Sequence, residues 1–283
     1  MAASPLFTGI EVAKTNEYIE AKHVARQAEV CRQLYPSNDI QIQTIAGGIA
    51  IKTLPEFLGK LNRIVGLGMD TKVEEQDLRD VETLLKPIGL EPEIHLCALA
   101  HPSALQSLDS CGYVVRHFLT TYVCSPGDMA TQQRRTAVED GVTISRITEH
   151  ETEKFLQASV AGFEDGGRSP ELLRFLARLA AGRDDTYLYV ATVDHQIAGT
   201  AAMAVIDSPN GRVAHLYLDS SLARQRGKGV HAALIRARVL EARRLGMDMA
   251  SMTTSAGSGS ARSAERAGFR LAYTKGIFTK RDR

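Results

Sequence analysis

Apolar and polar positions follow two periods along this chain, most plainly in its second half. Residues 142–148, VTISRIT, alternate as a half-buried strand does. From Glu149 to about Phe163 the period lengthens to that of a helix, with Phe155, Leu156, Ser159 and Val160 on one face. Residues 170–181, PELLRFLARLAA, repeat it more strongly through Leu172, Leu173, Leu176, Leu179 and Ala180. Two apolar runs, 186–194 and 196–207, meet at Asp194-His195 and predict a hairpin. A Pro-Asn-Gly turn at 209–211 leads into a further strand, 212–219. A helix is expected from Gly229 to Leu245, ended by Gly246. Then come a short strand (247–254), a short helix (258–268) ending at Gly268, and a closing strand. The order β-α-α-β-β-β-α-β-α-β predicts an α/β fold with a mixed sheet, not a regular doubly wound one.

The first half is less regular. A helix is expected over 16–34, a strand pair at 47–53 and 62–69, and a helix over 74–86. A strand (93–99), a short helix (102–112) and a strand (113–123) follow. This last trio, EIHLCAL-helix-Cys-Gly-Tyr-strand, echoes the layout MDMASMTT-helix-Ala-Gly-Phe-strand of the second half, with little residue identity. No glycine pair is read in front of a long apolar helix in the first half. The polar stretch SPGDMATQQRRTAVEDG (125–141) shows no apolar period, so we expect domains at 1–125 and 142–283 joined by a linker at 126–141.

Composition narrows the class. A chain of 283 residues with 44% hydrophobic and 24% charged residues can bury a real core. No apolar run approaches the length of a membrane span, and the first residues lack a secretory pattern, so no membrane partner and a cytoplasmic location are expected. Cys31, Cys97, Cys111 and Cys124 form no CxxC pair and read as small buried hydrophobes. No HExxH or paired histidine spacing occurs, so no metal is expected. The net charge of +1 hides an asymmetry: residues 212–283 carry 15 Lys or Arg against 5 Asp or Glu. A polyanionic ligand follows: nucleic acid, a membrane surface or a phosphorylated cofactor. Nucleic acid is disfavoured, because no basic position in 224–244 adjoins a Phe or Tyr that could stack on a base.

The stretch ARQRGKGVHAAL (223–234) focuses that charge. A helix's opening turn has unsatisfied N–H groups and a partial positive charge. Gly227 and Gly229 let backbone approach a diphosphate, and Arg224, Arg226 and Lys228 add attraction. The spacing is neither Walker A nor GxGxxG, and a solvated glycine-rich turn is the plainer alternative. Arg224-x-x-Gly227-x-Gly229 after a strand, followed by V-x-A-A-L-x-x-A, resembles the cofactor motif of the GNAT superfamily of acyl-CoA-dependent N-acyltransferases. GSGSARSAERAGFRLAYTK resembles that superfamily's second motif, a short helix ending in Gly-Phe before a strand. The resemblance covers about residues 142–280. The first half looks like a degenerate second copy, as in tandem members.

The resemblance implies two tandem GNAT-like domains, the N-terminal one degenerate, with acetyl-CoA or a related acyl-CoA as co-substrate. N–H groups of Arg226, Gly227, Lys228, Gly229 and Val230 would cradle its pyrophosphate, with Arg224 and Gln225 at the loop's start. Tyr217, Leu218 and Asp219 would line the pantetheine arm where their strand splays from the next. Ser258, Ser260 and Arg262 would approach from the following helix. Two positions depart from the family pattern: Gly257 stands where many members have Asn, and Ala264 where many have a Tyr acid. A water, Ser260 or Tyr273 would then protonate the leaving thiolate.

The acceptor amine must lose a proton, so a base is required, and the charge developing on the thioester oxygen needs an N–H donor, for which the backbone near Leu218 is the candidate. His215, Tyr217 and Asp219 are expected on one face of their strand and Leu216 and Leu218 on the other. A histidine is the residue type whose ordinary titration suits a base, which makes His215 the candidate; both His215 and Tyr217 read equally as packed strand residues. Glu164 and Asp165 would face a cationic substrate or solvent, and His231 would pack near the cofactor. The expected activity is N-acyl transfer from acyl-CoA to a small-molecule amine, by a monomer or homodimer. The alternative is a catalytically silent acyl-CoA sensor or scaffold.

Overall fold

The computed structural model describes residues 9–127 and 141–281; most of the expected linker at 126–141 lies outside the described residues. The described residues form two compact units, 9–121 with 271–281, and the described part of 122–270. Among the described residues, no helix is long and apolar enough to cross a membrane.

Unit 2 carries β6 (Val142–Arg146), α4 (Thr152–Phe163), α5 (Pro170–Ala181), β7 (Thr186–Val193), β8 (Gln196–Ser208), β9 (Gly211–Ser221), α6 (Val230–Arg244), β10 (Met249–Ser255) and α7 (Gly259–Arg266). Its strands run β6-β7-β8-β9-β10, antiparallel except for the parallel pair β9/β10. The β7–β8 turn has positive φ at both Asp194 and His195 (50° and 62°), the backbone a two-residue hairpin needs. One sheet face packs Leu188, Val190 and Ala202 against Phe155 and Leu156 of α4 and Ala177 and Ala180 of α5. The other packs Met203, Ala214 and Leu216 against Val230, Leu234 and Val239 of α6 and Ala261 and Ala264 of α7. Each of the larger apolar side chains here, Val, Leu, Met or Phe, stabilises the fold by about 1.5–3 kcal/mol when fully buried.

Unit 1 carries α1 (Ile10–Leu34), β1 (Gln41–Ile45), β2 (Gly48–Lys52), β3 (Ile64–Val65), α2 (Glu75–Leu85), β4 (Ile94–Cys97), α3 (Ser103–Ser110), most of β5 (Tyr113–Cys124) and β11 (Arg270–Lys280). Its strand order is β1-β2-β3-β4-β11-β5. As in unit 2, an antiparallel meander leads through a helix into a parallel pair, here β3/β4. The echo read in the sequence is thus a repeated topology, β4-α3-β5 and β10-α7-β11.

One boundary differs from expectation. The last strand, placed with residues 142–283 from the sequence, belongs to unit 1, where it pairs antiparallel with β4 from Lys275↔Cys97 to Phe278↔Ile94. Charge holds it there. Lys275, fully buried, reaches Glu17 Oε1 at 2.8 Å and also pairs with Glu20, both on α1. Cys31, Cys97 and Cys124 are buried, and burial pushes their thiols up to about 11, 12 and 12; Cys111 is half-buried.

Candidate acyl-CoA cleft

The sequence of β9 makes the site possible by breaking its own ladder. Its parallel pairing with β10 ends at His215↔Ser251, so Leu216–Ser221 and Met252–Ser255 run on without pairing to each other. On the other side, Leu218 and Asp219 together oppose the single residue Ala201, because Thr200 pairs with Ser220 and Ala202 with Tyr217. Leu218 takes a positive φ of 55° at this bulge. A fork opens between the two strands beyond His215.

The bulge also corrects the expected alternation. Leu218 joins Tyr217 against the α4/α5 cluster, whereas Asp219 turns toward α6. There Arg238, fully buried, donates to Asp219 Oδ2 at 3.0 Å, to Ala202 O at 2.8 Å and to Leu234 O at 3.0 Å. His231 Nε2 stands 3.3 Å from Asp219 Oδ1. Burial alone would raise the Asp219 carboxyl; Arg238 and then His231 outweigh it and hold it below the usual range. Asp219 is therefore a charged pin between β9 and α6.

The glycine loop takes the conformation its composition demands. Gly227 and Gly229 have φ of 80° and 76°, a region closed to most side chains. Gly229 is the N-cap of α6 and offers no side-chain cap to the first N–H groups. A Cβ built on Gly227 would meet no protein atom within 4 Å, so the loop borders open space. That space is a cleft of about 810 Å³ lined by the α4 end and following loop (Gly162, Phe163, Asp165, Gly166), Asp219–Ser221, Gln225–Ala232, Arg236 and the outer face of α7. The size suits a cofactor-sized ligand.

Of the residues expected to bind the cofactor, Asp219, Gln225, Arg226, Gly227, Lys228, Gly229, Val230, Ser260 and Arg262 line this cleft. Leu218 and Arg224 do not. Arg226 is not aimed at open space: its guanidinium forks onto Asp165, Nη2 to Oδ1 at 2.8 Å, tying the loop after α4 to the glycine loop. Gln225 is buried, and its Oε1 has no hydrogen-bond partner among the described residues. Arg236 and Arg266, not singled out from the sequence, also line the cleft; their position on helix faces toward the glycine loop was the available signal.

The expected catalytic residues divide. His215 is buried at the fork, with Nδ1 3.2 Å from Ser251 Oγ and its ring 6.1 Å from that of Tyr217. The Tyr217 hydroxyl is 3.0 Å from Thr186 Oγ1; burial raises its pKa, partly offset by Arg183. Neither ring lines the cleft. Tyr273 is elsewhere altogether: it belongs to unit 1, buried, donating to Glu17 Oε1 at 2.6 Å, with burial and then Glu17 holding its hydroxyl protonated. The strand that carries it went to the other unit. Ala264 is fully buried in the core beneath α7, and among the described residues lining the cleft there is no tyrosine.

No family model and no curated protein matches this sequence. The fold, by contrast, has many relatives among solved structures. A GCN5-related N-acetyltransferase from Kribbella flavida is similar over 93% of this chain and 96% of its own, at 15% identity and a TM-score of 0.66. A tandem GNAT protein from the clavulanic acid biosynthesis pathway is similar over 82% of this chain and 78% of its own, at 12% identity and a TM-score of 0.56. A GNAT-family acetyltransferase from Novosphingobium aromaticivorans matches 86% of this chain and 92% of its own, at 17% identity and a TM-score of 0.51. The fold is the GNAT fold, in its tandem arrangement.

Proposed function

We propose that unit 2 transfers an acyl group, acetyl in the simplest case, from acyl-CoA to the amine of a small molecule. The observation that carries this reading is the conjunction of a forked β9/β10 pair with an uncapped helix start behind Gly227 and Gly229. The residues fit the donor. Amides of Gly227 to Val230 would hold the diphosphate. The orphaned Gln225 Oε1 suits an N–H donor, which the amide-bearing arm of CoA has. Bound there, acyl-CoA supplies an activated thioester; the rest falls to the chain. Backbone N–H at the Leu218 bulge would stabilise the developing carbonyl charge. His215, at the fork, would accept the amine proton through water, and Ser260 is the hydroxyl on the α7 wall for the thiolate.

The test is calorimetry with acetyl-CoA followed by a panel of amines with thiol release as readout. Binding and turnover support the reading; no heat with acetyl-CoA ends it. A second reading, a silent acyl-CoA sensor, draws on the burial of Ala264 and Tyr273, which removes a phenol from the cleft. Tight binding without release of thiol for any amine would favour it.

A further inference from the structure

We infer that unit 1 seats an internal water between α1 and the fork of β3 and β4, held by Glu20, Arg63 and His95. The inference stands apart from the acyl-CoA reading of unit 2. One face of the unit 1 sheet is apolar: Ile94 and Leu96 pack against Leu78, Val81 and Leu85 of α2. The other meets a polar face of α1, where Glu17 and Glu20 are buried against His95 of β4 and Tyr273 and Lys275 of β11. Lys275 answers both carboxylates on one side. On the other side the pairing stops short. Glu20 Oε1 stands 3.6 Å from Arg63 Nη2 and 3.8 Å from His95 Nδ1, both too far for a direct hydrogen bond. Among the described residues, His95 Nδ1 and Arg63 Nε are buried without a hydrogen-bond partner, and Glu17 Oε2 shares that condition.

The other ring nitrogen fixes what His95 needs. His95 Nε2 is 2.8 Å from Glu93 Oε1, and a carboxylate only accepts, so Nε2 carries the hydrogen. Burial keeps the ring neutral, which leaves Nδ1 an acceptor. Two acceptors, Nδ1 and Glu20 Oε1, therefore face each other beside a guanidinium, and neither can bond the other. A water donates to both and accepts from Arg63, about the number of bonds a buried water makes. An ammonium or metal cation would suit the two acceptors but be repelled by Arg63, and Lys275 already balances the second carboxylate. The position is informative. The β3/β4 pairing ends at Val65↔His95, as the β9/β10 pairing ends at His215↔Ser251. The fork proposed to receive the thioester in unit 2 is, in unit 1, a hydrated structural centre.

High-resolution crystallography of the full chain, with NMR on the same protein carrying isotope-labelled histidine, tests this. The expected map has an ordered water within about 3.2 Å of Glu20 Oε1, His95 Nδ1 and an Arg63 nitrogen. The expected spectrum shows His95 neutral, protonated on Nε2, with a cross-peak from a long-lived water to the ring proton between its two nitrogens. Glu20→Gln brings an amide N–H that can serve Nδ1 in the water's place, so the cross-peak should be lost. Glu11→Gln, at an exposed acid of the same helix, should keep it. A wild type in which Nδ1 is protonated and bonded directly to Glu20, or in which map and spectrum both show the position dry, overturns the inference. A cross-peak that persists in folded E20Q overturns the assignment to Glu20. Should that variant not fold, the wild-type map and spectrum still decide.

Discussion

Two helices of this chain begin at equivalent points of the same topology, and their first turns are opposites. α2 carries the chain from β3 to its parallel neighbour β4, as α6 does from β9 to β10. Each follows a loop with two glycines of positive φ, Gly66 and Gly68 in unit 1 and Gly227 and Gly229 in unit 2. Around α2 the backbone is used up: Gly68 N–H donates to Ala46 O at 3.0 Å, and His101 N–H to Gly68 O at 2.7 Å. Its opening turn holds Glu75 and Asp77, and Asp77 accepts the Glu74 amide at 2.7 Å. α6 has no acid in its first turn, no side-chain cap, and cations on the approach. Every helix start attracts an anion. Unit 1 meets that attraction with its own carboxylates; unit 2 leaves it open. A glycine pair and a crossover are therefore insufficient to make a phosphate site.

The largest expected effect lies in unit 1 and tests whether its polarity is internal. Lys275→Met strands Glu17 without its cation and leaves Glu20 only Arg63, at 3.6 Å, and removing one partner of a buried pair costs about 3–5 kcal/mol. Denaturant titration should show this loss, with acetyl-CoA affinity retained by folded protein; unchanged stability would contradict the account of β11.

A pH effect comes next. Burial lowers the His95 imidazole from 6.5 to about 4, against the support of Glu93, with Arg63, Glu20 and Lys275 also facing it. Above pH 6.5 both folded and unfolded chains hold it neutral, and nothing is lost. Below that, the unfolded chain binds the proton first, so stability falls until the folded group titrates near 4, by up to about 3 kcal/mol. His95→Asn should flatten the stability profile over this window; a profile as steep as that of the wild type would assign the slope to other groups.

Replacing both Gly227 and Gly229 by Val should then weaken acetyl-CoA binding by about a hundredfold, roughly 2.7 kcal/mol. The same change at Gly66 and Gly68 should lower stability and leave the affinity of folded protein alone. Equal effects at the two loops would dissolve the contrast between them. The smallest effect belongs to Asp165→Asn. It releases Arg226 from an exposed pair whose contribution is about 0–1 kcal/mol, so acetyl-CoA should bind a few-fold more tightly in calorimetry. A loss of affinity would instead assign Arg226 a purely positional role.

Much of this was legible in the chain. The elements of unit 2 follow the apolar periods within a few residues, because each buries one regular face. β1 was missed: QIQTI is an edge strand with most of its side chains at least partly exposed, so it carries no clear alternation. α1 starts at Ile10, six residues before the expected helix at 16–34, and its first turns bury polar residues such as Thr15 and Asn16 that carry no apolar signal. The glycine pair at 66–68 lies inside a stretch whose pattern predicts strand, because Ile64, Val65, Leu67 and Met69 around it are apolar. The bulge at Leu218 has no glycine to announce it; it goes with the pairing of Asp219 to Arg238 of α6, nineteen positions further on. The fate of Tyr273 is hidden for a like reason: the partners of β11, the carboxylates of α1 and the strand β4, lie far from it in the sequence.

That destination bears on how the molecule comes into being. A ribosome delivers residues 1–121 first, yet the slot beside β4 stays vacant until 271–280 emerge. The half that is made earliest is finished latest, and until then Glu17 and Glu20 have no ammonium to neutralise them. Truncation just before residue 271 should spare the later-made unit and cripple the earlier one.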